Sequence, residues 1–446
     1  MTADVIVIGG GLSGLAAAIK LSLSGAKVVL LEQKSILGGR TYSFTDSKTG
    51  DEVDNGQHIL VGAYHKTLKY LELIGTKHFL KRQSKPRLYF HHQQKGLHIF
   101  EISNLPKPFD ITAAMLNYKI LSFRERNKLL RVGLELKRWN EKFERKLSQL
   151  SVDSWLDSLN QSDEAKRSFW NPIVISVMNE TPSRASALLF ARSLRNTFLD
   201  KKIDADVLIP TVGQTKLYVE QAVELLKKNK SEVITNAKVK SIIVSDGAAV
   251  GVEAVKKIKS KYIISSVPYY NVAQLIPKNY LNHIMFNELN LFESSPIVSI
   301  NLWFDKNVID IEFVGLINRN LQWIFNRRRI SEDTTKPENY ISAVISAARD
   351  EIKLTKDELV KMAVGELKEV FPDCRNAQLT NAIVIKEKRA TYSATNEVES
   401  IRPNPTTPIK NFYLAGDWTN TGLPATIEGA IQSGFKCAEL VISSKQ

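Results

Sequence analysis

Cysteine is nearly absent: Cys374 and Cys437 are the only two in 446 residues. They allow at most one disulfide and have no metal-ligand spacing, so a disulfide scaffold and a cysteine metal site are both excluded. A reducing, cytoplasmic setting agrees with that. No apolar run reaches the ~18 residues a spanning helix needs. The apolar start of the chain has no basic region ahead of it, so no secretory leader is expected. Internal repeats and low-complexity segments are also missing. The remaining composition, 43% hydrophobic and 24% charged, is that of a globular protein with a sizeable core.

Acidic residues are in deficit, 47 against 61 Lys and Arg, giving a formal net charge of +14. Such an excess serves a nucleic acid, an anionic membrane surface, or only a solvated lysine-rich face. No nucleic-acid motif accompanies it, so no nucleic-acid partner is expected. A solvated lysine-rich face is the first reading, and a peripheral place on the inner face of the cell membrane the second.

What is present begins at Asp4. Val5 to Ile8 are apolar and β-branched, as a strand buried on both faces of a parallel sheet requires. Gly9, Gly11 and Gly14 then form G-x-G-x-x-G, and a small-residue helix runs from Leu12 and Ser13 to Leu23. Gly9 suits a tight turn, Gly11 a close backbone approach to a pyrophosphate, and Gly14 helix-on-strand packing. The open helix start is an anion site. A second strand, Lys27 to Leu31, ends at Glu32, 18 residues past Gly14, where a ribose-binding carboxylate belongs. Strand, glycines, helix, strand and acid in this order predict a dinucleotide site.

Gly38-Gly39-Arg40 follows, and its guanidinium could pair with a diphosphate. Glu32, Gly38, Gly39 and Arg40 resemble the E-x(5)-G-G-R pattern of the flavoproteins that include amine oxidases and phytoene desaturases. The resemblance implies FAD, not a nicotinamide. Near the carboxyl end, Asn411 to Leu414 reads as a buried strand running into Gly416-Asp417, with a helix beginning near Pro424 to Thr426. In the same family the Gly416-Asp417 pair would meet the pyrophosphate and ribitol. The helix start at Thr426 and Ile427 would face the flavin pyrimidine, and Val239 would make the adenine-side backbone contact. Helix N–H groups there would stabilise negative charge on the flavin.

Between the ends, Asp54-Asn55-Gly56-Gln57-His58 reads as a polar loop touching the ligand. Residues 67 to 75 predict a short helix, and 81 to 110 a solvated strand region. His91 and His92 are adjacent there, so in a strand they point to opposite faces, and no metal is expected. Leu129, Val132, Leu136, Trp139, Phe143, Leu147 and Leu150 form one apolar stripe, predicting a long helix over 124–150 with a basic outer face. That helix either packs on the core or lies at a membrane surface. Thr181-Pro182 predicts a helix start with the helix reaching Phe198. Strands are expected at 206–210, 237–244, 261–267, 296–304, 321–326 and 340–346, and helices at 217–228 and 356–370. The aromatic strands 297–304 and 322–325 suit an apolar cavity or ordinary sheet core.

The predicted fold is α/β: a Rossmann-like FAD-binding domain built from both chain ends (1–75, 205–265 and 380–446), with an inserted mixed-sheet and helical substrate domain (76–204 and 266–379). Four stretches, Asp54 to Tyr64, Asn179 to Ser186 with the helix after it, Gln322 to Arg327, and Arg389 to Glu428, sharpen the resemblance to the hydroxysqualene dehydroxylases of hopanoid biosynthesis. That likeness implies reductive loss of the allylic hydroxyl of a long-chain isoprenoid, hydroxysqualene, with hydride from reduced flavin N5 and an external electron donor. Oxidative desaturation of a phytoene-like polyisoprenoid is the alternative. Amine oxidases carry a cage tyrosine where this chain has Thr426, which disfavours amine oxidation. A non-catalytic prenyl-protein escort would show degraded flavin motifs, and both are intact. A leaving hydroxyl needs an acid, and His58 is the first candidate because imidazole titrates near neutrality; a backbone-bonded structural histidine is the other reading. Asp54 and Glu428 are expected to be structural.

Overall fold

In a computed structural model, residues 2–331 and 339–444 are described. The first sheet begins with Thr2–Ile8, whose Val5, Ile6 and Val7 are wholly buried. It pairs in parallel with Val28–Leu31 on one side, Val5 opposite Val28, and with Lys257–Ser265 on the other, Ile6 opposite Ile263. Glu232–Ile234 extends the sheet beyond Val28–Leu31. Phe412–Leu414, from the far end of the chain, pairs in parallel with residues 263–265. An antiparallel hairpin, Ser241–Ser245 with Ala248–Glu253, completes it against residues 257–259. Continuous burial of the parallel strands follows from helix cover on the sheet. Helix Leu12–Leu23 crosses Ile427–Ser443 so closely that a Cβ on Gly434 would lie 2.1 Å from the Ser13 carbonyl.

The second sheet holds seven strands in the order Leu379–Tyr392, Ser294–Phe304, Asn339–Ser346, Trp323–Asn326, Phe313–Ile317, Arg87–His92 and Gly96–Glu101. Helix Lys356–Val370 has the bounds its spacing predicts, with Thr355 and Glu358 forming a reciprocal cap. A small sheet, Leu60–Val61, Val207–Pro210 and Leu80–Arg82, lies apart from both.

Several expectations change. The stripe over 124–150 belongs to two helices, Phe123–Leu136 and Glu141–Leu147, because the Asn140 side chain accepts from the Phe143 N–H and restarts the helix. Leu129, Val132, Leu136, Phe143 and Leu147 are all buried in the core, so this stripe has no apolar face left for a membrane. The helix predicted from Thr181 starts at Ala187, capped by Ser186; residues 181–185 form a turn, with Arg184 and Ala185 N–H bonded to the Thr181 carbonyl. The strand predicted over 237–244 is Ser241–Ser245. His92 is buried and not solvated, its Nδ1 accepting from the Gln94 and Lys95 N–H groups. Leu379–Tyr392 hydrogen-bonds along Ser294–Phe304 in the second sheet, so its residues do not join the first sheet as the boundary at 380 implied. The two-part division is retained as a proposal with that boundary moved past Tyr392.

Candidate functional site

The two glycine segments meet face to face. Gly9 has φ +103°, and a Cβ on Gly14 would lie 2.0 Å from the Gly9 carbonyl oxygen, so both positions need glycine. The Gly38 N–H donates to the Gly10 carbonyl at 2.8 Å, and Gly39, φ +67°, stands opposite Gly11. A Cβ on Gly11 would meet only the Gly39 Cα, at 3.9 Å. That space is a backbone-walled cradle at a helix start that no side chain caps. Glu32 closes the turn: its Oε2 accepts from the Gly10 N–H and its Oε1 from the Lys34 N–H, each at 2.8 Å.

The carboxyl-terminal segment reaches the same place. Arg40 Nη2 donates to Asp417 Oδ1 at 2.7 Å, and Nη1 donates to the Ala390 carbonyl. The guanidinium is thus committed to Asp417 and the backbone, with three of its five N–H donors outside these two bonds. The Gly416 N–H donates to Ser433 Oγ at 2.8 Å. Thr426 caps helix Ile427–Ser443 by accepting from the Gly429 N–H at 3.1 Å. Glu428 accepts from the Lys66 N–H, the Thr67 N–H and the Thr67 hydroxyl, each at 2.8 Å. Burial raises its pKa, and these donors work against that shift.

The polar loop sits between the two motifs. Asp54 Oδ1 accepts from the Gln214 N–H at 3.0 Å and the Ser43 hydroxyl at 2.7 Å. Asn55 donates to the Arg40 carbonyl at 2.9 Å, while its Oδ1 is buried without a hydrogen-bond partner. Arg327, buried, donates to Gln57 Oε1 at 2.6 Å and lies 3.3 Å from Asp54. His58 Nδ1 is also buried and unpartnered. Burial lowers the His58 pKa below its ordinary value, with the nearby Asp54 charge opposing. The shift disfavours the protonated ring that an acid role requires, and Asp54 and the Gly56 backbone work against it.

Gly9, Gly11, Leu12, Ser13, Glu32, Gly38, Gly39, Arg40, Asn55, Gly56, Gln57, His58, Val239, Gly416, Asp417, Thr426 and Ile427 all line one cavity of about 1350 Å³. Gly14 does not; it packs beneath Gly9. The volume exceeds the ~300–1,000 Å³ of a typical small-molecule pocket. Ala237, Lys238 and Val239 mark its end near Glu32, and Ile297, Trp323, Phe325, Val344, Leu88 and Val177 line an apolar limb. Trp303, from the other aromatic strand, is instead core, stacked on Tyr340 at 4.4 Å. Arg327 and Gln214 had no role assigned from sequence. A charged side chain directly after the aromatic strand was the available signal for Arg327; Gln214 had none. Among the described residues no group of three His, Cys, Asp or Glu is placed to hold a metal.

The cradle at Gly11, the uncapped helix start and the unpartnered Asn55 oxygen fit a dinucleotide flavin. Fold and site define a two-sheet flavoprotein oxidoreductase. The chain belongs to the flavin-containing amine oxidoreductase family, whose model matches residues 12–442, and is an FAD-dependent oxidoreductase. It is 28% identical to a hydroxysqualene dehydroxylase of Zymomonas mobilis over 98% of each chain. It is 24% identical to a 15-cis-phytoene desaturase of Synechococcus elongatus, over 98% of this chain and 96% of that one. An oxidoreductase from Methanosarcina mazei shares the fold, with a TM-score of 0.76 at 18% identity over 98% of this chain and all of that one.

Proposed function

We propose that the protein removes the allylic hydroxyl of hydroxysqualene to give squalene. The observation that carries this reading is likeness along nearly the whole chain to hydroxysqualene dehydroxylases of three organisms, at 27–28% identity. The apolar limb beside the flavin cradle suits a long isoprenoid, the substrate class of both groups of relatives. In the balanced reaction the C–O bond breaks and the hydroxyl leaves as water by taking one proton, while a hydride, carrying both electrons, forms the new C–H bond. Reduced FAD, when bound, supplies the hydride. Glu32, the Gly11 cradle and Asp417 would hold the cofactor, with Arg40 neutralising Asp417.

The remaining work falls to the Asp54–His58 loop. Gln214 donates to the Gly56 carbonyl and Ser299 to the Asn55 carbonyl, fixing its backbone, Asp54 anchors its start, and Arg327 holds the Gln57 amide. Because arginine only donates, the bond to Gln57 Oε1 turns the amide NH₂ away from Arg327. That donor, which reaches the His58 carbonyl at 3.4 Å, the Asn55 oxygen and the His58 ring are polar groups this loop brings to the cavity wall, and His58 is our candidate proton donor to the departing oxygen. Trp323, Phe325 and Ile297 would keep water from the allylic cation.

The desaturase relative sustains a second reading, oxidation of a phytoene-like polyisoprenoid. The test is to incubate FAD-loaded protein with hydroxysqualene under reductant, and with phytoene under oxidant. Squalene from the first supports the proposal; a desaturated product from the second alone replaces it.

A further inference from the structure

A substrate this apolar has to be collected from a lipid phase, yet among the described residues no helix is long and apolar enough to cross a membrane. The stripe shared by Phe123–Leu136 and Glu141–Leu147 is buried in the core and makes no such contact, while Phe123, 67% exposed, and Leu134, 59% exposed, lie off it on the first helix. Another surface can. Leu105 is 48% exposed, Phe109 61% and Ile203 52%, large fractions for side chains that water disfavours. Leu105 and Phe109 flank the turn before helix Phe109–Asn117, where the Phe109 N–H bonds the Pro106 carbonyl. Ile203 lies in the short helix Lys202–Ala205. The two segments adjoin: Lys202 Nζ donates to the Asn104 carbonyl at 2.9 Å.

This patch sits on the rim of the cavity. Thr197, Phe198 and Asp200 line the cavity and lead directly into Lys201 and Lys202. On the other side, Ala63 to Lys66 line it too, and Gly62 packs so tightly that a Cβ there would lie 1.8 Å from the Ile203 carbonyl. The outward charge is positive. Lys66, Lys201 and Lys202 are exposed. Of the nearby acids, Asp110 is buried and Asp204 is buried and paired with His65 Nε2 at 2.8 Å, leaving Asp200 at the surface. Apolar tips beside exposed lysines match an interface in which side chains enter the acyl boundary while cations meet anionic headgroups.

We infer that Leu105, Phe109 and Ile203, with Lys201 and Lys202, form a docking face for an anionic bilayer and set the cavity rim against it. Only the identity of the cargo rests on the dehydroxylase reading; the docking does not. The occupant is a lipid surface, and a second copy of the chain is the competing occupant that the test below must separate.

The test uses the full-length, FAD-loaded protein in co-sedimentation with phosphatidylglycerol vesicles and with phosphatidylcholine vesicles. Combined Leu105→Ser, Phe109→Ser and Ile203→Ser is expected to weaken binding to both by about tenfold or more. Combined Lys201→Gln and Lys202→Gln is expected to weaken binding to phosphatidylglycerol alone, by about thirtyfold. Retained yellow cofactor shows that each variant is folded. Substituting Arg124, exposed on Phe123–Leu136, should leave the apolar component of binding intact. Unchanged vesicle binding by the triple variant overturns the inference, as does a dimer in analytical ultracentrifugation that the triple variant dissolves. Squalene formation is read separately with hydroxysqualene in detergent micelles. If none forms there, the dehydroxylase reading fails while the vesicle data still decide the docking face.

Discussion

Arg40 Nη2 donates to Asp417 Oδ1 at 2.7 Å, an ion pair between residues 377 apart in the chain. It fastens the amino-terminal glycine segment to the carboxyl-terminal one at the point where both meet the cavity. Arg40→Ala leaves Asp417 a nearly buried carboxylate without its cation. FAD affinity, followed by cofactor release on dilution, should fall by about 1.5–3 kcal/mol, the worth of a charge-assisted bond. Undiminished retention would mean the pair is incidental to the cofactor.

Two glycines of one motif should fail in different ways. Gly14→Ala drives a methyl to within 2.0 Å of the Gly9 carbonyl, so the protein should not accumulate in soluble form. Gly11→Ala meets only the Gly39 Cα at 3.9 Å, so the protein should fold with unchanged circular dichroism. Its methyl occupies the cradle, however, and FAD should bind about tenfold or more weakly, as overpacking does elsewhere.

His58 sets a pH signature. Its pKa is lower in the folded protein than the ordinary 6.5, so the folded state binds fewer protons than the unfolded one in the window just below that value. The resulting stability is full above pH 6.5 and is lost as pH falls through the folded pKa, at a slope of at most about 1.4 kcal/mol per pH unit. Chemical denaturation of the parent and of His58→Gln across this range should differ by that slope. Turnover tests the chemical role: His58→Ala should lose about 10²–10⁴-fold in kcat with FAD content unchanged if the ring is the acid.

Arg349 supports the wall of the cavity. Its guanidinium meets the fully buried Glu180 carboxylate at 2.5 Å, beside Asn179, whose side chain bonds Thr391 and the Ala347 N–H. Arg349→Ala leaves that carboxylate only the longer ion pair to Arg184, at 3.9 Å, and should cost about 1–3 kcal/mol in urea denaturation. A loss near zero would show that Ser393 and the Thr181 N–H, its other donors, suffice.

The cofactor half was legible because its determinants are local. Gly9, Gly11 and Gly14 act over six residues, and Thr426 caps the helix that follows it. What the sequence hid was non-local or ambiguous in period. Leu379–Tyr392 reads as nothing in particular, because its residues are mostly half-buried and its place is decided by pairing with Ser294–Phe304. Phe313–Ile317 is a short buried strand with no alternation to show. The stripe from Leu129 to Leu147 hides a break, since Asn140 restarts the helix while the apolar spacing continues. Arg327 could be placed beside Gln57 only by the fold, 270 residues away.

The direction of electron flow is the central claim, and isotope transfer tests it most directly. FAD-loaded protein is reduced anaerobically with a deuteride donor and given hydroxysqualene, and a companion run uses unlabelled donor in deuterated water because the transferable hydrogen exchanges with solvent. We predict squalene bearing one deuterium at the former carbinol carbon in at least one run, with the flavin spectrum returning to the oxidised form. Absence of squalene from both runs, while oxidised protein dehydrogenates phytoene, would contradict it.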